Sequence, residues 1–255
     1  MKLNNGFLWQ GSGLLSESGL RISCWSPVAM DARNKIGIFG GTFNPIHYGH
    51  LRAAEEVREK LHFEKILFIP SCNPPLKSGD LAPAEERYEM TRLSLETNPF
   101  FDISDLECKK RGKSYTVETL TALNKLYPEK SLYLVVGIDS FLEIPGWRQP
   151  ERLMDLIHFV VVSRPGFSFS SIFSMIPEAS VANLSEVDGG RRECYKTNLK
   201  NGREVVLLNV TPLPISATAV RMLVRRGESI KYLLPDKIES YIISHNLYQK
   251  GGEDL

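Results

Sequence analysis

From Lys35 onward, short apolar runs alternate with segments of helical periodicity. Lys35–Phe39 (KIGIF) and Lys65–Pro70 (KILFIP) read as strands. Ser131–Val136 and His158–Val162 are strongly β-branched or apolar, as strands covered on both faces tend to be. Phe101–Ile103 reads as a short strand and Val205–Val210 as the last one. Between them, Leu51–His62, Pro83–Thr97, Thr116–Tyr127, Ala217–Arg226 and Pro235–His245 read as helices. The second of these opens with Pro and two nearby Glu, which suits a helix N-terminus.

Strands and helices alternating at this spacing imply βαβ units. With right-handed crossovers they give a doubly wound, Rossmann-like, mostly parallel sheet with helices on both faces. Ligands of such folds sit beyond the carboxyl ends of the strands, so the loops after strands are where chemistry is expected. Residues 1–34 lack periodicity and read as a poorly ordered N-terminal extension. Met30, just before the first strand, also allows an upstream start codon as the origin of that segment. Residues 35–250 read as one catalytic domain, in which the Ser- and Gly-rich stretch 167–203 is expected to be an elaborated surface region.

Composition narrows the class without identifying it. In 255 residues, 31 Lys and Arg face 30 Asp and Glu, a net charge of +1 that argues against an extended nucleic-acid partner. No apolar run approaches the roughly 20 residues of a membrane span, and the N-terminus lacks a signal-peptide core. A cytoplasmic protein with no membrane or nucleic-acid partner is expected, and a homo-oligomer stays open. Cys24, Cys72, Cys108 and Cys194 are widely spaced and contain no CxxC pair, so neither a disulfide framework nor a zinc site is expected.

The chemistry concentrates after the first strand, in Gly40-Gly41-Thr42-Phe43-Asn44-Pro45-Ile46-His47-Tyr48-Gly49-His50. Two consecutive glycines let the backbone approach a ligand and adopt positive φ. The helix that follows offers free N–H groups to an anion. His47 and His50, three residues apart, project from one face, and Gly49 leaves room between them. The pattern describes a phosphate cradle with two imidazole donors; a metal half-site and a purely structural turn are the competing readings. Neither a Walker loop nor GxGxxG is present.

This stretch resembles the GxFxPxHxGH signature of the nucleotidylyltransferase superfamily. Ile215-Ser216-Ala217-Thr218-Ala219-Val220-Arg221 is similar to that family's ISSTxxR, with Ala217 in place of the commoner Ser. Physically, Ser216 suits an N-cap, and Arg221 can grip phosphate oxygens bidentately. Segments between the two motifs resemble the bacterial nicotinate-nucleotide adenylyltransferase branch. They are Pro70–Lys77, Gly112–Leu120, Val136–Ser140, Trp147, Ser163–Gly166, Tyr232–Pro235 and His245–Tyr248, so the likeness runs over about residues 35–249. Asn44 stands where that branch often has Asp, and Leu76 where it often has His.

The resemblance implies adenylyl transfer from ATP to nicotinate mononucleotide, giving nicotinate adenine dinucleotide and pyrophosphate in NAD biosynthesis. His47, His50 and Arg221 are then the expected catalytic residues. ATP is expected to meet Gly40, Gly41, Thr42, Phe43, His47, His50, Gly137, Asp139, Ser216, Thr218 and Arg221. Nicotinate mononucleotide is expected at Lys77, Thr116, Trp147 and Arg164. Mg²⁺ is expected to arrive with ATP, bridging phosphate oxygens rather than sitting in a protein cage. An adenylyltransferase for nicotinamide mononucleotide or phosphopantetheine, and a non-catalytic nucleotide-binding regulator, are the alternatives.

Overall fold

The computed structural model describes residues 34–74, 80–110 and 112–249. The expectations for residues 1–33, the end of the chain and Lys77 therefore lie outside the described residues. Seven strands form a single sheet: β1 (Lys35–Gly41), β2 (Lys65–Pro70), β3 (Phe101–Ile103), β4 (Ser131–Gly137), β5 (His158–Val162), β6 (Cys194–Asn198) and β7 (Glu204–Leu208). Their order is β3-β2-β1-β4-β5-β7-β6, parallel throughout except for the edge strand β6, which runs antiparallel to β7. This is the doubly wound architecture expected from the alternation of strands and helices. The order reverses between β1 and β4, which pair in register from Lys35 with Ser131 to Phe39 with Val135. That reversal opens a crevice at the strand ends.

Eight helices complete the described fold: α1 (Tyr48–Leu61), α2 (Ala84–Leu95), α3 (Thr116–Leu126), α4 (Ile138–Glu143), α5 (Pro150–Leu156), α6 (Val181–Asp188), α7 (Ala217–Arg225) and α8 (Asp236–Ser244). The period-2 alternation of strand side chains divides the core into two layers. Ile36, Ile38, Leu132, Leu134, Phe159 and Val161 pack with Leu120 of α3 and Phe141 of α4. Phe39, Phe68, Val135 and Val160 face the other way, toward Val57 of α1, Met90 of α2 and Ile238 of α8. A central strand buried on both sides must be apolar at every position, hence the continuous runs read in the sequence.

Two expectations are corrected. The stretch 167–203 is not merely surface: its 3₁₀ turn (Phe169–Met175), α6 and β6 place Phe169, Ile172, Ile176, Leu184 and Val187 in the core. Polar residues between those apolar positions masked a short amphipathic pattern. The cysteines are corrected too, because a disulfide joins Cys72 and Cys108, whose Cα atoms lie 5.0 Å apart. The 36 residues between them say nothing of this proximity, which arises because β2 and β3 are neighbours and end side by side.

Candidate active site

The loop from β1 into α1 is held by side chains rather than by its glycines alone. Neither Gly40 nor Gly41 has positive φ, contrary to expectation; Phe43 takes that conformation, at φ 46°. Glycine is needed at position 41 for space, because a Cβ there would come within 2.7 Å of the Phe43 ring. Gly40 faces open space. Phe43 is buried against Phe39 and Phe68, so its side chain anchors the loop from below. Asn44 explains its departure from Asp. Its amide donates to the Asp80 carbonyl at 2.8 Å, while its oxygen accepts from Ala82 N–H and the Tyr248 hydroxyl at 3.0 and 2.9 Å. A carboxylate could not supply the donor.

His47 caps α1 and His50 occupies its first turn, their rings stacked with centroids 3.7 Å apart. His47 N–H donates to His50 Nδ1 at 3.3 Å. With Nδ1 accepting, a neutral His50 carries its proton on Nε2, a donor for an anion. His47 is buried, and its Nδ1 finds no hydrogen-bond partner among the described residues. Burial and the nearby Arg164 cation lower its pKa to about 4, leaving the ring neutral at physiological pH. Gly49 gives this pair its room, since a Cβ there would press on the His47 ring at 3.0 Å.

Ser216 caps α7 by accepting from Ala219 N–H at 3.1 Å, as its position predicts. Arg221 reaches back across the cleft entrance. It donates to the Asn44 carbonyl at 2.8 Å, to Asp80 at 2.9 Å and more loosely to Thr218 at 3.4 Å. Asp80 also pairs with Arg225, so one carboxylate bridges two guanidinium groups.

These residues line a hollow of about 810 Å³ together with Gly40, Thr42, Gly137 and Asp139. A second hollow of about 900 Å³ contains Ser71, Glu107, Ser114, Thr116, Trp147 and Arg148. The two meet at Gly40–Thr42 on one side and at Asp139 and Trp147 on the other, forming a single two-lobed cleft at the sheet's topological switch. Trp147 packs partly against the core while bordering both lobes. Arg164 lines the first lobe, 3.3 Å from Asp139, which borders both lobes, and Thr116 lines the second. Asp139 keeps its other carboxylate oxygen buried and without a hydrogen-bond partner among the described residues. A side chain at Gly137 would collide with that oxygen.

The sequence reading missed three contributors. Arg148, stacked 4.4 Å over Tyr115, brings positive charge to the second lobe. Asp80 holds Arg221, and Glu56 fixes the loop before α7 through hydrogen bonds from Thr211 N–H to both carboxylate oxygens at 3.1 Å. None of the three belongs to a recognisable motif, so proximity in the fold is the only signal.

A Rossmann-like sheet with an HxGH helix start and an Arg-bearing second helix defines a nucleotidyltransferase, and the chain belongs to the cytidylyltransferase-like family, which matches residues 38–223. It is 42% identical over 224 residues to a probable nicotinate-nucleotide adenylyltransferase of Geotalea daltonii, covering 85% of this chain and 99% of that one. A relative of the same name from Geobacter sulfurreducens is 39% identical over 220 residues, covering 86% and 100%. In three dimensions the chain resembles the Plasmodium falciparum nicotinic acid mononucleotide adenylyltransferase complexed with NaAD, at TM-score 0.65 and 21% identity, over 85% of this chain and 98% of the other. At that identity the likeness is one of fold.

Proposed function

We propose that the protein transfers the adenylyl group of ATP to nicotinate mononucleotide, releasing pyrophosphate, and that the region 35–250 is its catalytic domain. The observation that carries this reading is the stacked His47–His50 pair in the first of two lobes that meet at Gly40–Thr42, each lobe of a size for one nucleotide. A phosphate oxygen of the mononucleotide attacks the α-phosphorus of ATP in line. A new P–O bond forms as the bond to the β-phosphate bridging oxygen breaks, and pyrophosphate leaves with that electron pair. The attacking oxygen is already charged, so no covalent enzyme intermediate is needed. Catalysis reduces to alignment and charge stabilisation.

In this reading ATP occupies the first lobe. His50 Nε2–H and the backbone of Gly40, Gly41 and Thr42 meet the α-phosphate region, with neutral His47 as a further hydrogen-bond partner. Ser216, Thr218 and Arg221 hold the β- and γ-phosphates, Arg221 exchanging Asp80 for phosphate oxygens. The unpartnered oxygen of Asp139 suits a ribose hydroxyl beside Gly137. Trp147 offers its face to the nicotinate ring and Thr116 opens the helix beneath it, while Arg148 favours a carboxylate over a carboxamide. Arg164 adds charge beside Asp139, which borders both lobes.

Mg²⁺ fits as a companion of ATP. Its ligands would be phosphate oxygens of the nucleotide, where it would neutralise charge. No helix among the described residues is long and apolar enough to cross a membrane.

A pyrophosphate-release assay offering nicotinate mononucleotide, nicotinamide mononucleotide and phosphopantetheine separately tests the acceptor. Preference for the first is expected; comparable or faster turnover with either of the others contradicts the assignment.

A further inference from the structure

Arg87 ends the first turn of α2, directly after Glu85 and Glu86, where a helical arginine ordinarily meets solvent. It is instead 1% exposed, among the largest fully buried side chains of the protein. Its guanidinium spends its donors on backbone carbonyls from three segments. Nε donates to Ala82 at 3.0 Å, Nη1 to Thr42 at 2.8 Å and also to Ser71, and Nη2 to Cys72 at 2.9 Å. Among the described residues no carboxylate forms an ion pair with it. A buried cation is costly, and carbonyl dipoles offset only part of that cost. Only a planar fork with several donors satisfies four carbonyls arriving from different directions.

The segments it joins are the floor of the cleft. Thr42 belongs to the loop shared by both lobes, and Ser71 lines the second. Ser71 N–H in turn donates to the Gly41 carbonyl at 2.8 Å, closing a link between the ends of β1 and β2. In a trans peptide the carbonyl and the following N–H point in opposite directions. Drawing the Thr42 carbonyl toward Arg87 therefore turns the Phe43 N–H away from it, and both Thr42 and Phe43 border the first lobe. The buried charge behind this floor also raises the potential where two phosphate-bearing substrates would meet.

We propose that Arg87 is a positioning residue for adenylyl transfer: from behind the cleft it fixes the peptide planes of the β1–α1 loop and the loop after β2, and supplies buried positive charge beneath them. The inference rests on the reading of this cleft as the adenylyl-transfer site.

The test uses the full-length protein carrying Arg87→Met or Arg87→Lys, with near-UV circular dichroism and thermal unfolding to verify the fold. Assayed with ATP and nicotinate mononucleotide, folded Arg87→Met is expected to lose about 100-fold in kcat while KM for each substrate changes much less, because misaligned donors act on the transition state. Arg87→Lys restores the charge without the fork and is expected to recover only part of that loss. A kcat loss below about tenfold in Arg87→Met, an effect confined to KM, or full recovery by Lys overturns the inference. Failure of both variants to fold overturns it as well, by making Arg87 a structural staple. His50→Ala, run alongside, separates the two levels. Turnover surviving in His50→Ala refutes the site itself, whereas an active, folded Arg87→Met beside an inactive His50→Ala refutes only the role of Arg87.

Discussion

His47 and His50 are coupled twice, by ring stacking at 3.7 Å and by the hydrogen bond from His47 N–H to His50 Nδ1. One imidazole is thereby buried and neutral while the other is oriented with its Nε2 as donor. The pair differs from two solvated histidines in a way that pH exposes.

His47 has a folded pKa of about 4 against 6.5 unfolded, so between these values the unfolded chain binds the extra proton. Stability therefore falls as pH drops through 6.5 and stops falling, for this group, below 4. The loss between pH 7.5 and 5 is about 2 kcal/mol, and it disappears in His47→Gln. Urea unfolding of both proteins at the two pH values measures it; an equal pH dependence in both would contradict the burial of a neutral His47.

Arg221 is held by the Asn44 carbonyl independently of Asp80. Removing the carboxylate should therefore leave the guanidinium in place and unmask it. Asp80→Asn is expected to lower KM for ATP about threefold, and to change stability by less than about 1 kcal/mol because the ion pair is partly exposed. Arg221→Ala should lower kcat/KM for ATP by about tenfold to 100-fold, the worth of a charged hydrogen bond. Steady-state kinetics of the two variants check both; a raised KM in Asp80→Asn would mean that the carboxylate orients Arg221 instead of competing for it.

Trp147 borders both lobes while part of its ring packs on the core. Its truncation separates an acceptor platform from a simple anchor. Trp147→Ala is expected to raise KM for nicotinate mononucleotide about tenfold with little change for ATP, given that a ring pair contributes about 1 kcal/mol beyond its buried area. Equal effects on both substrates, tracking lost stability, would assign the residue to the core.

Glu56 is 2% exposed and ties α1 to the loop before α7 through Thr211, with Arg52 at 2.7 Å and Lys60 at 3.0 Å completing its surroundings. Glu56→Ala strands Thr211 N–H and takes the buried carboxylate from Arg52 and Lys60, although Lys60 keeps Glu193 at 2.8 Å, and should cost about 2 kcal/mol. Chemical denaturation reads this directly. A cost under about 1 kcal/mol would show that the loop holds its course without Glu56.

The central strands β1, β2, β4 and β5 were legible because burial on two faces leaves no polar position to interrupt them. The HxGH and ISATAVR segments were equally legible, since their residue types and spacings carry chemistry by themselves. The edge strand β6 escaped because Cys194–Asn198 alternates burial with exposure and borrows its partner from β7. Arg87 and Asp80 escaped for a different reason. Each sits in a helix or loop whose local sequence predicts a solvated charge, and each acts through residues 15 or more positions away. The Cys72–Cys108 bridge belongs to the same class: adjacency of two loops is a property of strand order, not of spacing. Motifs announce chemistry, whereas the supports behind them become visible only in the fold.

The central claim is that His50 stabilises the transferring phosphate from the base of a two-lobed nucleotide cleft. Its most direct measurement is pyrophosphate release by His50→Ala with ATP and nicotinate mononucleotide, the fold verified by circular dichroism. A folded variant with kcat reduced by about 1,000-fold is predicted, the scale of losing one preorganised donor to developing charge. Turnover within about tenfold of the wild type would contradict it.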